Sequence, residues 1–294
     1  MLVSVIIINY NTFRVTCECI ESVMRHTTRV AYEIILVDNA STETDPLEFQ
    51  KRFPSITLIR NHENSGFAKG NNLGIAHASG NILLLLNSDT MLTEDSISVA
   101  AEELSRNKQL GALGVHLTYQ DGQYQNNARK FRSIRNELLD LFRPLLFLLP
   151  YRRRASLMLN QYFKGDFDTV VDWVSGAFMM FTQELVAQLP ERKLDERFFM
   201  YGEDQLWCYQ IAQLGYDNMF IGSTSVIHIA NASTEPAKQL RLLKLNTSRE
   251  LEIMRYRKGA SLYYYVFKAI FCAKEGLRYL IKSLVFRLFK YRIR

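Results

Sequence analysis

The chain has 294 residues, enough for one large α/β domain or for one catalytic domain with a small appendage. Its composition, 48% hydrophobic and 22% charged, excludes wholesale disorder. A formal charge of +6 favours anionic partners, and nucleotide diphosphates, anionic lipid headgroups and nucleic acid all satisfy it.

In chain order, Val3–Asn9 is a β-branched apolar run that predicts a strand buried on both faces. Thr12 is placed to cap the next segment, whose Val15, Cys19, Ile20 and Val23 fall on one helical face. Strands are predicted at Glu33–Asp38, Ile56–Arg60 and Asn81–Asn87, with a helix over Ala68–Ala78 between the last two. Strands alternating with helices imply a mainly parallel α/β sheet with right-handed crossovers. Farther on, Leu113–Tyr119 reads as a strand, Gln120–Lys130 as a polar loop, and Val170–Phe181 as strand with Gly176 in its middle. Leu138–Leu149, broken by Pro144 and closed by Pro150, precedes Arg152, Arg153 and Arg154; it reads either as a membrane-touching insertion or as a packed helical hairpin. Glu203–Leu214 is predicted helical and Val226–His228 a short strand.

The cysteines Cys17, Cys19, Cys208 and Cys272 form no CxxC pair and have no histidine at metal-finger spacing. They read as free thiols of a reducing compartment, the cytoplasmic side. Strand-like sequence begins almost at once, so no cleaved secretion signal is expected. No stretch reaches the roughly 18 uninterrupted apolar residues of a spanning helix.

Ligands of an open parallel sheet bind beyond the carboxyl ends of its strands. Those ends carry Asn9, Tyr10 and Asn11; Asp38, Asn39 and Ser41; Asn61, Asn64, Ser65 and Gly66; and Asn87, Ser88 and Asp89. Any one such loop is explained by the turn preference of Asn, Asp and Ser, but four on one edge point to a polar ligand. Asp89, following LLLLNS, suits a hard cation such as Mg²⁺ or Mn²⁺, or else caps a helix starting near Thr93. Residues 66–72 match neither G-x-G-x-x-G nor a Walker A loop, yet they can offer backbone amides and Lys69 to an anion. Glu203-Asp204 supplies either a general base against an aromatic wall of Phe198, Phe199 and Tyr201, or a helix cap. His228 ends a strand and is either structural or a further ligand of the same cation.

The ordered set SVIIINYN, VDNAS, NSGFAKGNNLGI, LLLLNSD, VSGAFMMF, FFMYGED and H-x-x-x-x-S resembles family 2 glycosyltransferases of the GT-A fold. It is most similar to the rhamnosyltransferase-type branch that builds O-antigen, capsule and other surface polysaccharides. The resemblance spans residues 1–235, which it implies are the catalytic domain. It also implies that Asn9, Tyr10 and Asn11 line the nucleotide pocket, that Asp38 bonds the base, and that the Asn64–Asn72 segment (Asn64, Gly66, Lys69, Asn72) closes over ribose and diphosphate. Asn87-Ser88-Asp89 takes the DxD position with Asn replacing the first Asp, leaving Asp89 as metal carboxylate and His228 beside the metal or diphosphate. Glu203-Asp204 falls on the acidic pair, with Asp204 the base of an inverting displacement. Trp173 and Gly176 border sugar and acceptor. The implied donor is a dTDP- or UDP-sugar, rhamnose among the candidates, and the acceptor a glycan or lipid-linked glycan.

Residues 236–294 read as a C-terminal helical region, whose character changes from Tyr263 onward. Lys274, Arg278 and Lys282 repeat at helical spacing, Ile270, Leu277, Ile281 and Leu284 fill the other side, and Arg287, Lys290, Arg292 and Arg294 end the chain. Such a helix can lie on an anionic bilayer, here the cytoplasmic face of the inner membrane, or pack against protein. Competing readings are a sugar nucleotidyltransferase, disfavoured because SVIIINYNTF has no basic glycine-rich opening, and a non-catalytic nucleotide-sugar binder. Nucleic acid is not expected, because the cations cluster in an apolar tail.

Overall fold

Val3, Val5 and Ile7 of β1 (Leu2–Asn9) point to one side of the sheet and Ile6 to the other, and all four are buried. That double burial is what a continuous β-branched run predicts. The computed structural model describes residues 1–229 and 236–292 and divides into two compact units. Met1–Lys130 with Ala155–Ala230 forms the first; Phe131–Arg154 with Asn231–Arg294 forms the second. A domain boundary expected at residue 235 lies outside the described residues.

In the first unit β1 is followed by α1 (Phe13–His26), β2 (Ala31–Asp38), α2 (Leu47–Arg52), β3 (Thr57–Arg60), α3 (Gly66–Ile75), β4 (Ile82–Asn87), β5 (Thr90–Leu92) and α4 (Ser96–Arg106). Next come β6 (Leu110–Thr118) and β7 (Ala128–Arg129). The second unit then takes α5 (Ile134–Leu141) and a 3₁₀ segment, Arg143–Leu148. α6 (Tyr151–Leu157) crosses back, and α7 (Leu159–Tyr162), β8 (Thr169–Val171), β9 (Trp173–Val174), β10 (Phe178–Thr182), α8 (Gln183–Gln188), α9 (Glu203–Gln213) and β11 (Asp217–His228) complete the first unit. The chain closes with α10 (Pro236–Lys258) and α11 (Leu262–Arg292).

Among the described residues the main sheet has nine strands, in the order β3-β2-β1-β4-β10-β6-β11-β5, with β8 also on β11. β1, β2, β3, β4, β6 and β11 run one way, while β10, β5 and β8 run against them. The mainly parallel α/β sheet expected from the strand–helix alternation is therefore present. On one face Val3, Val5 and Ile7 meet Cys19, Ile20 and Val23 of α1 and Ile97, Ala101 and Leu104 of α4. On the other face α3 lies so close that a Cβ on Gly74 would stand 2.5 Å from Ile6. Cys17, Cys19 and Cys208 are free and buried, and burial pushes the Cys19 thiol up to about 12, so it stays neutral within the core.

Several elements differ from the sequence pattern. Thr12 occupies the N-cap position of α1, but its hydroxyl donates to Asn9 Oδ1 instead of capping. Val170–Phe181 is not one strand: β8, β9 and β10 are separate, and the chain turns at Gly176. The polar stretch before Lys130 contains β7, which pairs with β9. β11 runs from Asp217, well ahead of the predicted start, because a register shift between Ile221 and Ser225 interrupts the alternation that betrays a strand. The helix after Thr93 begins at Ser96 and is capped by Asp95, whose side chain accepts from Ser98 N. That leaves Asp89 outside any cap.

The second unit has its own small core of Met254, Tyr264, Phe267 and Phe271, with Ile134 and Leu251 packed on it. Buried Glu137 of α5 pairs with Arg132 (2.9 Å) and with Lys274 of α11. Lys274 also reaches Asp140 at 3.1 Å, so this cation faces protein.

Leu84 lies in β4 with no exposed surface. Leu84→Ala is expected to cost about 2–5 kcal/mol, the range for opening a cavity in a closed core. Urea denaturation should show this as a lowered midpoint with an unchanged slope.

Candidate active site

Register alone assembles one polar edge. Asn9 is level with Asp38 across β1–β2, and Ile8 with Asn87 across β1–β4, so three parallel strands end together. Asn9 and Asp38 are almost wholly buried there. Asn9 Nδ2 donates to Asp38 Oδ1 (2.7 Å) and Ser41 Oγ (2.9 Å), while its Oδ1 accepts from Thr12 and Thr16. Asp38 Oδ2 accepts from Ser41 N at 3.0 Å. Asn11, held at φ 53°, accepts from Thr42 N and Glu43 N and pins the 41–43 loop. These residues form a rigid frame; the side chain this loop offers to solvent is Tyr10, 48% exposed.

A second network holds the start of α3. Asn61 Nδ2 donates to Asn39 Oδ1 and Ser65 Oγ, Asn39 Nδ2 donates to Gly66 O, and Asn64 Oδ1 accepts from Gly66 N. Gly66 has φ +83°, and a Cβ there would stand 2.5 Å from Phe199 O, so only glycine permits this approach. Phe67 N donates to that same Phe199 carbonyl (2.9 Å), which docks the 195–202 segment on the helix start. Asn72 ties the same two segments: its Nδ2 donates to Leu194 O and Glu196, and its Oδ1 accepts from Leu194 N. Lys69 is exposed on the first turns of α3.

Asp89 sits in the turn between β4 and β5, and its carbonyl accepts from Ile229 N (2.8 Å). β11 runs antiparallel to β5 with His228 opposite Thr90, which brings the imidazole to this turn. His228 Nε2 lies 3.1 Å from Asp89 Oδ1 and 3.2 Å from Asn87 Nδ2. Ser88 Oγ is 3.3 Å from Thr12 Oγ1. A carboxylate, an imidazole nitrogen and an amide thus meet at one point. Asp89 and His228 would supply the one or two protein ligands that Mg²⁺ or Mn²⁺ takes when phosphate oxygens and water complete the shell, whereas the Asn87 atom turned to this point is an amide nitrogen, which donates hydrogen bonds and does not ligate. Among the described residues no group of three or more His, Cys, Asp or Glu is placed to hold a metal, so such an ion depends on oxygens from elsewhere.

Asp204 stands in the first turn of α9, with Glu203 buried beside it. Its Oδ1 accepts from Gln205 N (2.8 Å) and its Oδ2 from Gly176 N (3.3 Å). The next residue, Ala177, accepts from Asn87 N at 3.0 Å, so adjacent residues of one turn bond to both acidic segments. Gly176 fits between Phe67 and Asp204: a Cβ would be 3.0 Å from the Phe67 ring and 3.7 Å from Asp204 Cβ. Desolvation raises the Asp204 pKa above the usual carboxylate range, opposed by the two backbone donors and by the charge of Arg129. Trp173 is buried, and the Arg129 guanidinium lies 5.0 Å over its ring.

Three contributors were not singled out by sequence reasoning. Arg129 and Gln125 fall in the stretch read as a loop; the Asp121-Gly122 dipeptide is a turn signal that could have marked the hairpin ahead of Gln125, whereas nothing local marks the β7–β9 pairing that places Arg129. Phe67 looks like ordinary helix filling. Gln125 Oε1 is 2.8 Å from His228 Nδ1.

A family model described as Glycosyl transferase family 2 matches residues 4–170. The N-acetylglucosaminyl-diphospho-decaprenol L-rhamnosyltransferase of Mycobacterium tuberculosis (strain ATCC 25618 / H37Rv) is 25% identical over 221 residues, covering 70% of each chain. The uncharacterized glycosyltransferase YwdF of Bacillus subtilis (strain 168) is 33% identical over 104 residues, which span 35% of this chain and 38% of that one. Among solved structures, the mannosyltransferase PcManGT of Pyrobaculum calidifontis in complex with GDP-Man and Mn²⁺ has a TM-score of 0.61 at 18% identity, covering 96% of this chain and 73% of that one. GalNAc-T7 with UDP, GalNAc and Mn²⁺ has a TM-score of 0.57 at 16% identity, covering 94% and 54%. At these identities the structural likeness shows the fold alone, and it is the GT-A arrangement that the motif order implied.

The raised Asp204 pKa has a signed consequence. The neutral carboxyl suits the fold at low pH, and stability is lost as pH rises through the folded-state value and the buried group ionises. Asp204→Asn should therefore melt higher than wild type near neutrality, with the gain vanishing as pH falls into the ordinary carboxylate range. A melting difference that ignores pH contradicts this.

Proposed function

The chain belongs to glycosyl transferase family 2, and from that membership we propose that it moves a sugar from a nucleotide-diphosphate donor to a hydroxyl acceptor with inversion. The observation that carries this reading is Asp204, a desolvated carboxylate bonded to the same turn that holds Asn87, the start of the Asp89 loop. Asp204 takes the acceptor's hydroxyl proton while that oxygen attacks the anomeric carbon. The bond from that carbon to the leaving diphosphate breaks, and its electron pair stays on the diphosphate oxygen. Glu203 supports the base from the same helical turn. A carboxylate whose pKa is raised is a stronger proton acceptor once ionised, which serves this step.

Tyr10, with Asn9, Asn11 and Asp38 framing it, faces the nucleotide. Asn64, Gly66, Lys69 and the start of α3 face ribose and diphosphate, steadied by Asn72, and Asn87 and Ser88 complete that wall. Trp173, roofed by Arg129, and Gly176 border sugar and acceptor. Asp89 and His228 would hold Mg²⁺ or Mn²⁺, which when bound supplies positive charge against the departing diphosphate. Mn²⁺ bound in the structures of PcManGT and GalNAc-T7 supports a divalent ion.

The mycobacterial relative, an L-rhamnosyltransferase of N-acetylglucosaminyl-diphospho-decaprenol, supports rhamnose as the sugar and a lipid-linked glycan as the acceptor; a dTDP donor and a place in surface-polysaccharide assembly rest on the motif resemblance alone. A UDP-sugar fits the same residues. A lipid-linked acceptor, together with buried free thiols, supports a reaction at the cytoplasmic face of the inner membrane. Among the described residues no helix is long and apolar enough to cross a membrane, but α11 carries a surface stripe. Leu277, Leu280, Ile281 and Leu284, at i, i+3, i+4 and i+7, are each more than half exposed. Leu145, Phe147 and Leu148 of the 3₁₀ segment are exposed too. Exposed Lys268 and Arg278 lie off that stripe, and a cation near anionic headgroups contributes on the order of 1 kcal/mol.

Three measurements test the reading. Asp204→Asn should keep donor binding and lose about 10²–10⁴ in turnover, the worth of a positioned base; near-normal turnover removes Asp204 from that role. Asp89→Ala should abolish the Mn²⁺ dependence of donor binding in calorimetry. In flotation with anionic vesicles, replacing Leu277, Leu280, Ile281 and Leu284 by Ser should release the protein; continued flotation rejects the membrane assignment.

A further inference from the structure

Gln125 belongs to none of the motifs above, yet it is buried against the imidazole of His228 with every polar atom of its side chain committed. A tight hairpin delivers it. Thr118 pairs with Tyr124, Tyr119 N donates to Gln123 O, Gly122 N donates to Tyr119 O, and Gln125 N donates to Leu117 O (2.8 Å). The side-chain amide is oriented by what surrounds it. Nε2 lies 2.5 Å from His228 O and 3.4 Å from Thr118 O, two carbonyl oxygens that can only accept. The NH₂ end must therefore face them, which turns Oε1 toward His228 Nδ1 at 2.8 Å. An amide oxygen only accepts, so Nδ1 carries a ring proton, and in the neutral form of the ring Nε2 is then the bare nitrogen.

We propose that Gln125 is the positioning residue that locks neutral His228 as its Nδ1–H tautomer, so that the Nε2 lone pair faces Asp89 as a cation ligand. This deepens the metal assignment above and rests on it for the ligand's purpose, though not for the tautomer. Neutral imidazole in water prefers its proton on Nε2. Without Gln125 the ring would revert to that form, and an Nε2–H donating to Asp89 Oδ1, now 3.1 Å away, would close the site against a cation. With the proton held on Nδ1, Nε2 and the carboxylate are two electron-rich groups side by side, and Asn87 Nδ2, 3.2 Å from Nε2, is the donor that can occupy the lone pair until a cation does. Hydrogen bonding to the far nitrogen of a ligating histidine orients and tunes the near one.

The test uses ¹⁵N-histidine-labelled full-length protein without metal, at a pH where imidazole is neutral. Long-range ¹H–¹⁵N correlation is expected to show His228 with a protonated Nδ1 and an unprotonated Nε2. In Gln125→Leu, of similar volume, that pattern should revert toward Nε2–H, and Mn²⁺ alone, titrated by its electron spin resonance signal, should bind about ten- to a hundredfold more weakly. Wild-type protein with Nε2 protonated overturns the proposal even if the variant does not fold. A folded variant that keeps both the Nδ1–H pattern and wild-type Mn²⁺ affinity overturns it as well. If wild-type protein and Asp89→Ala both fail to bind Mn²⁺ while the tautomer changes as described, the metal assignment falls and the orienting role of Gln125 stands.

Discussion

The arrangement depends on one reversal of the chain at Gly176-Ala177. Gly176 N holds the carboxylate of Asp204, Ala177 O holds the backbone of Asn87, and β10 then runs back along β4. Two acidic segments more than a hundred residues apart are kept in register by consecutive residues. The reversal is sterically narrow, because Gly176 is wedged between Phe67 and Asp204. A Cβ there would need the Phe67 ring to yield by a few tenths of an ångström, while Asp204 stands at ordinary contact distance.

Around that point the polar residues divide into frame and face. Asn9, Asp38, Asn39, Asn61 and Ser65 bond mainly to one another and to backbone, and their burial requires that satisfaction. These bonds hold the loop ends in one arrangement, and in the proposed function that spares Tyr10, Lys69 and the amides of α3 an ordering cost at binding. Asp204 is treated differently. Burial works against its charge and raises its pKa, which is the direction that the proposed role as a base calls for.

The second unit is built on another principle. Its core is small, and charge does much of the fastening: Glu137 between Arg132 and Lys274, with Arg132 also over the Phe271 ring at 4.9 Å. Cations expected on a free helical surface are in part directed into the protein, while the apolar stripe of α11 stays outward. Amphipathicity alone could not settle which side faces which, because a helix with two apolar faces and interspersed cations satisfies both a bilayer and a bundle.

Local chemistry was enough for the first half of the fold. A β-branched run followed by Asn or Asp, repeated, specifies parallel strands whose ends meet at one edge, and the family resemblance read from those ends is borne out by the family match over residues 4–170. The sequence also determined which residues stand at strand ends, since alternation and turn preference are local properties. It did not determine the division of those residues into buried frame and exposed face, the splitting of 170–181 at Gly176, the full length of β11, or the delivery of Gln125 and Arg129 to the site. Each of these depends on partners distant in the chain: a carbonyl that accepts, a ring that fills, a strand that pairs across a shifted register. Only the folded chain brings those partners within hydrogen-bonding or van der Waals reach, and so only tertiary structure could decide them.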